Sequence, residues 1–350
     1  MTELLEVEGL TVKFESAAHH LELVRDASFE IGTGEVVAMV GESGSGKSIT
    51  ARAILGLLRR NHRMTVEGNA RLAGRDLLAL AEAEMREVRG RRVSMIFQDP
   101  VGALDPVVSI GAQVLEAVRR RRSGTRPEQR RRVIELLASV GITDPELRAK
   151  QFPHEVSGGM CQRALIAIAL AGSPELLIAD EPTTALDVTV QAQVLDLLKR
   201  LRDERQMSVL LITHDMGVAA QTADRVLIMY AGSLVEQGPT ADIFGHPCHP
   251  YTGGLISAVP RVDAPRSRRL VAIPGSVPEA ADRPAGCAFH PRCPLADDRC
   301  ATAMPGPRRL GNQIAACHRA EEARDSQVHR WQAGPGGGGA GRLPEERAAL

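Results

Sequence analysis

One glycine-rich segment of the sequence has the spacing of a phosphate-binding loop. Residues 41–48 read GESGSGKS and fit the pattern G-x-x-x-x-G-K-[ST]. Glycines let the backbone curve around an anion, with N–H groups pointing inward at the start of the next helix. We expect Lys47 to reach the β- and γ-phosphates of a nucleotide and Ser48 to bind Mg²⁺. A glycine-rich turn without a ligand is the alternative. The residues predicted to line this site are Gly41, Glu42, Ser43, Gly44, Ser45, Gly46, Lys47, Ser48 and Ile49.

A second motif places two carboxylates directly after an apolar strand. Residues 176–182 read LLIADEP. Ligands of open α/β sheets bind at the carboxyl ends of the strands, where Asp180 and Glu181 are expected. Asp180 can hold Mg²⁺, directly or through water. Glu181 is the candidate base that orients or deprotonates an attacking water.

A third motif could form a second anion site. Residues 156–163 read VSGGMCQR and lead into a long apolar helix. Ser157, Gly158 and Gly159 would leave N–H groups free at the positive end of that helix. A simple helix cap by Ser157 is the alternative.

These motifs need a sheet with helices between its strands. Residues 35–60 read as strand, loop and helix, and β-branched runs follow at 93–97, 176–179, 209–213 and 225–229. Helical patterns cover 113–122, 127–140 and 188–205. This alternation predicts an α/β fold with a mainly parallel, doubly wound sheet and a helical insertion at about 100–172.

Composition limits the classes of protein that fit. The chain has 350 residues with 43 basic and 43 acidic side chains, so its formal net charge is zero. A protein that binds nucleic acid mainly by neutralising phosphates needs an excess of basic residues, which argues against that class. No run is long and apolar enough for a membrane helix, and the acidic N-terminus lacks a signal-peptide pattern. We therefore expect folding in the cytosol. Near residue 240 prolines and glycines become frequent and the hydrophobic periodicity fades. This change predicts a main domain at 1–240, a loop-rich appendage at 241–325 and a flexible tail at 326–350.

The appendage contains a cluster of cysteines that could bind metal. Cys287, Cys293, Cys300 and Cys317 are spaced C-x5-C-x6-C-x16-C. Cytosolic cysteines are more often thiols or metal ligands than disulfides. The spacing lacks the paired C-x2-C of zinc ribbons, whereas iron–sulfur ligation tolerates varied spacing. The spacing therefore predicts a metal site and leaves a 4Fe-4S cluster, Zn²⁺ and unliganded thiols open; His290 and His318 are taken as bystanders.

Taken in order, the motifs resemble the nucleotide-binding subunit of an ATP-binding-cassette (ABC) transporter. The resemblance implies a P-loop NTPase fold with N-terminal antiparallel β elements, and ATP and Mg²⁺ as ligands. It implies that Phe14 stacks on adenine, Gln98 senses Mg²⁺ and the membrane subunits, and His214 contacts the γ-phosphate. It also implies that Ser157, Gly158 and Gly159 of one chain close over ATP held by a partner, and that residues 185–187 cross the dimer interface. The signature reads VSGGM rather than the commoner LSGGQ, and Cys161 stands where arginine often follows.

The C-terminal part resembles one branch of that family. Residues 249–260 (HPYTGGLISAVP) and 286–294 (GCAFHPRCP) are similar to the extension of oligopeptide/dipeptide or nickel importers, some of which carry a 4Fe-4S cluster on these cysteines. The resemblance therefore implies a 4Fe-4S cluster on Cys287, Cys293, Cys300 and Cys317, with Zn²⁺ or unliganded thiols as the alternatives. The resemblance implies an ATPase at the cytoplasmic face of the membrane that powers peptide import. Its expected partners are a second, related ATPase chain, two permease subunits and an extracellular or periplasmic peptide-binding protein, with no nucleic acid.

Two other interpretations stay open. A nickel chelate could be the cargo, and a soluble ABC ATPase of DNA repair or translation is a different class of function. The arginines at 119–122, 126 and 130–132 form the densest charge cluster, which is typical of a solvated helix face or of contact with nucleic acid or lipid.

Overall fold

The computed structural model describes residues 3–16, 20–120, 124–184, 187–259 and 272–325. Ala185 and Leu186 of the predicted interface loop, Arg121 and Arg122 of the basic cluster, and the predicted tail at 326–350 lie outside the described residues. Across the part that is described, no helix is long and apolar enough to cross a bilayer.

The secondary structure alternates strands and helices over most of the chain. The strands are β1 (Glu3–Glu15), β2 (His20–Gly32), β3 (Val36–Val40), β4 (Met64–Leu72), β5 (Arg75–Asp76), β6 (Val93–Ile96), β7 (Leu176–Asp180), β8 (Ser208–Thr213), β9 (Arg225–Tyr230), β10 (Ser233–Pro239), β11 (Arg308–Leu310) and β12 (Gln313–Ala315). The helices are α1 (Lys47–Ile54), α2 (Glu82–Val88), α3 (Ile110–Arg120), α4 (Arg126–Ser139), α5 (Pro145–Arg148), α6 (Gly158–Leu170), α7 (Val188–Arg205), α8 (Met216–Thr222), α9 (Thr240–Gly245), α10 (Pro250–Ser257), α11 (Asp298–Thr302) and α12 (Ala320–Asp325).

The larger sheet has the spatial order β11-β12-β10-β9-β3-β8-β7-β6. Its five strands from β9 to β6 are parallel, and every residue of β3, β7 and β8 is buried. Such strands are covered on both faces, which is why their sequences are continuous apolar runs without alternation. The prediction of a mainly parallel α/β sheet is confirmed.

A smaller antiparallel sheet lies at the N-terminus, in the order β2-β1-β4-β5. β1 pairs with β2 on one side and with β4 on the other. The inward residues of this sheet, among them Leu5, Leu10 and Leu72, share a core with β3 and α1. The predicted N-terminal antiparallel elements are therefore present.

Helices fill the chain between β6 and β7, as predicted. Ile110, Val114 and Val118 of α3 recur every fourth residue, which places them on one face of the helix. That face shares a core with α4 and α6, including Leu136, Leu137 and other residues buried beyond solvent contact. This core continues under β7 and β8, so the insertion is anchored on the sheet.

The appendage extends the central sheet. β12 pairs antiparallel with β10, with Ala315 opposite Glu236. β11 forms a hairpin with β12 at the edge of the sheet. Glu236 is 1% exposed and accepts hydrogen bonds from the backbone N–H groups of Cys248 (2.6 Å) and His249 (3.0 Å). Residues after 240 are thus tied to the sheet by strand pairing and by a buried carboxylate. The domain boundary near 240 stays a prediction.

An aromatic cluster holds the appendage against β9. The centroid of the Tyr230 ring lies 4.7 Å from that of Tyr251 and 5.2 Å from that of Phe289. All three rings are 1% exposed or less. Edge-to-face pairs of this kind contribute about 0.5–1.5 kcal/mol beyond area burial.

We expect Phe289→Ala to lower the free energy of unfolding by about 3–5 kcal/mol, because it empties the centre of this cluster. Urea unfolding monitored by circular dichroism measures the effect. Val107→Ala, at a side chain that is 79% exposed, is the control and should change stability by less than about 0.5 kcal/mol. Similar losses in both variants would contradict the packing described here.

Candidate functional site

The loop at 41–46 joins β3 to α1 and is shaped by glycines. Gly44 and Gly46 have φ angles of 80° and 105°, which side chains other than glycine rarely adopt. A Cβ at Gly41 would lie 2.2 Å from the carbonyl oxygen of Met229 in β9. A Cβ at Gly44 would meet nothing within 4 Å, so the loop is open on that side.

Lys47 folds back into this loop. Its Nζ donates to the carbonyl oxygens of Gly41 (2.8 Å) and Glu42 (2.9 Å) and to Ser45 Oγ (3.3 Å). The side chain is 5% exposed, and burial lowers the pKa of its ammonium while nearby carboxylates oppose that change. A buried cation held at the start of a helix can bind an anion that enters the loop.

Ser48 and Asp180 meet although 132 residues separate them. Ser48 Oγ donates to Asp180 Oδ1 at 2.7 Å. Asp180 ends β7 with no exposed surface, and burial raises the pKa of its carboxyl. Among the described residues, its Oδ2 atom has no hydrogen-bond partner. A hydroxyl and an unsatisfied carboxylate oxygen are hard donors of the kind that Mg²⁺ binds, so the residues present fit this ion.

The Glu181 side chain contacts residues that follow two neighbouring strands. Its carboxylate accepts from Gln98 Nε2 (3.0 Å) and Thr184 Oγ1 (2.8 Å), and it lies 3.5 Å from His214 Nδ1. Its backbone has φ of 47°, a strained value for a side chain that costs about 1–3 kcal/mol. The backbone N–H donates to Ile212 of β8 (2.9 Å), which helps to hold this conformation. The structure thus joins the ends of β6, β7 and β8.

Two sets of predicted site residues, Phe14 and residues 157–159, are not among the contacts of Lys47, Asp180 and Glu181 described above. Ser157 Oγ accepts from the backbone N–H of Met160 at 3.3 Å, so Ser157 caps α6, and a Cβ at Gly158 would meet nothing within 4 Å. Phe14 lies on β1, opposite Leu21 of β2 and Met64 of β4. Roles for Phe14, Ser157, Gly158 and Gly159 stay predictions.

Three residues at the site escaped sequence analysis. The Thr184 hydroxyl binds Glu181, as described above. The backbone N–H of Glu42 donates to Tyr251 Oη at 2.9 Å, and Arg292 donates to both carboxylate oxygens of Glu42 at 2.8 and 3.0 Å. Nothing in the sequence pairs Glu42 with residues more than 200 positions away.

A cavity of about 380 Å³ borders the loop. Its walls come from β2, the loop itself, and residues 277–280 and Arg283 of the appendage. Arg283 donates to the Glu22 carbonyl at 2.7 Å, while its Nε is buried and unpartnered within the described chain. The appendage therefore borders the loop in two places.

The prediction of an iron–sulfur cluster is wrong. Over the described residues, which include all four cysteines, no group of three or more His, Cys, Asp or Glu side chains could hold a metal ion. The same finding argues against the zinc alternative.

The cysteines instead pack as small apolar side chains. Cys317 shares a buried cluster with Cys248 and Ala315, and Cys287 and Cys293 pack against the cluster of Tyr230. The His290 and His318 rings contact the carbonyl oxygens of Cys287 and Ala303, both at 2.9 Å; each histidine thus has a backbone partner.

Two family models match the chain. One, described as ABC transporter, matches residues 24–184 and so covers the loop at 41–48, Gln98, Ser157 and Asp180. The other, described as the C-terminal region of oligopeptide/dipeptide transporters, matches residues 235–300.

Relatives are similar along most of the chain. A Brucella abortus protein named for peptide import and ATP binding is 48% identical over 315 residues, which cover 90% of this chain and 94% of that protein. The oligopeptide transport ATP-binding protein OppD of Mycobacterium tuberculosis is 50% identical over 324 residues, covering 92% of this chain and 52% of that longer protein.

Solved structures share the fold of the cassette. The dimeric ATP-binding cassette MJ0796, in a post-hydrolysis state with ADP and Pi, has a TM-score of 0.61 and 27% identity, covering 68% of this chain and 99% of that one. CbiO1 of Clostridium perfringens, part of an ABC transporter complex, has a TM-score of 0.59 and 26% identity, covering 70% and 91%.

We expect Gly41→Ala to lower both stability and nucleotide affinity, because its Cβ would collide with the backbone of β9 and shift the loop. Overpacking of this kind costs about 1–3 kcal/mol. Urea unfolding and titration with a fluorescent ATP analogue measure the two effects.

Gly245→Ala is the matched control, since a Cβ there meets nothing within 4 Å and the φ is not in the left-handed region. It should change stability by no more than about 1 kcal/mol and leave nucleotide affinity unchanged. Equal losses in the two variants would contradict the close approach of the loop to β9.

Proposed function

The chain belongs to the ABC transporter family, and we propose that it is the ATP-hydrolysing subunit that powers import of di- and oligopeptides through a multi-subunit transporter. The observation that carries the proposal is the meeting of Ser48, Asp180 and Glu181 beside a phosphate loop. The names of the relatives at 48–50% identity support the cargo class.

In this proposal the loop binds the triphosphate of ATP. Lys47 exchanges its bonds to loop carbonyls for bonds to the β- and γ-phosphates, and loop N–H groups bind the same oxygens. Ser48 and Asp180 would hold Mg²⁺, which when bound would supply positive charge that offsets the charge developing on the phosphates. Phe14 and Ile49 bind the rest of the nucleotide.

Hydrolysis then depends on the carboxylate of Glu181. Gln98 and Thr184 fix its orientation through hydrogen bonds of 3.0 and 2.8 Å. From there it can orient a water for in-line attack on the γ-phosphorus and accept its proton. His214, which is 60% exposed beside Glu181, is placed to donate to a γ-phosphate oxygen.

A complete site requires a second ATPase chain. We propose that Ser157, Gly158 and Gly159 of one chain close over the γ-phosphate held by the partner, and that residues 185–187 line their interface. The exposed N-terminus of α6 leaves room for such a ligand, because a Cβ at Gly158 meets nothing within 4 Å. We propose a related chain rather than an identical one as the partner.

The membrane subunits are proposed to dock beside Gln98. Phe97, Val101 and Val107 are 41%, 56% and 79% exposed. These side chains are close together in the sequence, and a contiguous exposed apolar surface marks a protein contact. Docking there would couple the Gln98–Glu181 bond to two permease subunits, with the chain at the cytoplasmic face of the membrane. The peptide itself would meet the permeases and an extracellular or periplasmic binding protein.

The charges of the helical insertion support a solvated face. Arg120 pairs with Glu116 at 2.8 Å, and Arg131 and Arg132 pair with Glu135 at 3.3 and 3.4 Å. Pairs with this spacing on one helix are typical of an exposed, solvated face. This favours transport over the soluble ABC ATPase of DNA repair or translation.

We expect Glu181→Gln to keep ATP binding and to reduce turnover by about 10²–10⁴, because an amide cannot accept the proton. Phosphate release by the complete transporter and equilibrium ATP binding are the measurements. The variant should accumulate as a closed, ATP-bound pair.

Glu175→Gln is the control, since Glu175 pairs with Arg92 before β7 begins, at the opposite end of that strand from Glu181. Its turnover should match that of the unmodified protein. Normal turnover in Glu181→Gln would remove Glu181 from its proposed role.

Isolation of the full chain in mild detergent tests the assembly. We expect multi-span membrane proteins and a second ABC ATPase to co-purify, and vesicles containing the complex to take up labelled oligopeptides when ATP is supplied. Uptake of a nickel chelate but not of peptides would contradict the cargo. Co-purification with ribosomes or DNA would contradict the transporter.

A further inference from the structure

Glu42, the second residue of the phosphate loop, is held by the appendage through three hydrogen bonds. Arg292 binds both of its carboxylate oxygens, at 2.8 and 3.0 Å, and Tyr251 Oη accepts from its backbone N–H at 2.9 Å. Side chain and main chain of one loop residue are therefore both held from outside the loop.

Arg292 is itself locked in place. It belongs to a short turn at His290–Arg292, and its side chain is 6% exposed. Its Nε donates to the Pro274 carbonyl at 2.7 Å, and its guanidinium lies 5.7 Å from the ring centroid of Tyr230. A planar cation fixed by carbonyls and rings presents a rigid fork to a carboxylate.

This ion pair is difficult to explain by stability alone. The side chain of Arg292 is buried whereas that of Glu42 is partly exposed. Desolvation offsets much of the attraction between two charges, and water screens the exposed part of the pair, so its net contribution to stability is small. The pair is therefore better explained by what it does to the loop.

Glu42 also contacts the residue that is proposed to bind phosphate. Its carbonyl oxygen accepts from Lys47 Nζ at 2.9 Å. Its carboxylate, which is 31% exposed, is close enough to act electrostatically on Lys47. If Arg292 were absent, that carboxylate could turn towards Lys47 and compete with a triphosphate for the same ammonium. Its negative charge would also repel the triphosphate.

We propose that Arg292 and Tyr251 are positioning residues of the nucleotide site, which hold Glu42 away from Lys47 and neutralise it so that the loop accepts a triphosphate. This inference rests on the proposed function and adds the appendage to the ATP-binding machinery. Neither residue contacts the reacting atoms, so the effect should fall on ATP affinity rather than on the chemical step.

Steady-state ATP hydrolysis by the assembled transporter tests the proposal. In Arg292→Gln we expect the KM for ATP to rise about tenfold while kcat changes by less than about twofold. Arg308→Gln is the matched control, because Arg308 also lies in the appendage and binds both oxygens of one carboxylate, that of Glu321, at 3.2 and 3.1 Å. Its KM should be unchanged.

A double-mutant cycle separates positioning from general damage. In a Glu42→Gln background there is no carboxylate to restrain, so Arg292→Gln should raise the KM by less than about twofold. Equal increases in both backgrounds would overturn the proposal, as would an unchanged KM in Arg292→Gln. An equal rise in Arg308→Gln would also overturn it.

Tyr251→Phe keeps the test informative if Arg292→Gln does not fold. It removes one hydroxyl and keeps the ring, so we expect the KM to rise about two- to tenfold with an unchanged unfolding midpoint. An unchanged KM in this variant would overturn the role of Tyr251 and, if Arg292→Gln does not fold, the proposal. An unmodified complex that hydrolyses ATP without moving peptide contradicts the proposed function, and leaves these KM comparisons valid.

Discussion

The parallel pairing of β3 between β8 and β9 is the constraint on which the site depends. Val40 lies opposite Thr213 on one side and Ile228 on the other, so β3 and β8 end at one level, and β9 continues past that level to Tyr230. The loop at 41–46, His214 after β8 and the Met229 carbonyl of β9 consequently lie at one edge. β7 pairs with β8 in the same direction and brings Asp180 to that edge. A shift of one residue in this register would turn every buried side chain of a strand to the other face.

The same edge concentrates groups that would be unfavourable elsewhere. Asp180 has no exposed surface, Lys47 is 5% exposed, and Glu181 has a left-handed backbone. Buried charges and strained residues persist where the surrounding structure is rigid enough to hold them. Here β3, β7 and β8 are buried along their whole length and supply that rigidity. Mg²⁺ would satisfy the Asp180 oxygen that has no partner among the described residues, and a triphosphate would pair the Lys47 ammonium, which now contacts carbonyl and hydroxyl oxygens. The site is therefore organised for its ligands rather than for its own stability.

The sequence predicted the parts of this arrangement that depend on local pattern. The strands expected at 93–97, 176–179, 209–213 and 225–229 correspond to β6 through β9 within one or two residues. The motifs predict Ser48 and Asp180 separately as ligands of Mg²⁺, and the structure brings these two side chains into contact. The partners of Glu42 did not follow, because Tyr251 and Arg292 are 209 and 250 residues away, and no sequence pattern connects the short helix α10 or the turn at His290–Arg292 with the loop. The cysteine spacing misled because spacing alone does not distinguish cysteines that pack as small apolar residues from cysteines that bind metal.

The structure makes the appendage part of the cassette in two ways. β10 and β12 continue the central sheet, and Arg292 holds the phosphate loop through Glu42. Coupling between two sites is reciprocal: if the docked appendage favours the loop geometry that binds ATP, bound ATP must favour the docked appendage by the same free energy. The aromatic cluster of Tyr230, Tyr251 and Phe289 connects these two regions, because the Tyr251 hydroxyl oxygen accepts from the backbone N–H of Glu42 in the loop while the Tyr251 ring packs on Phe289. A change in how the appendage packs is therefore expected to alter ATP affinity even where no residue of the loop changes.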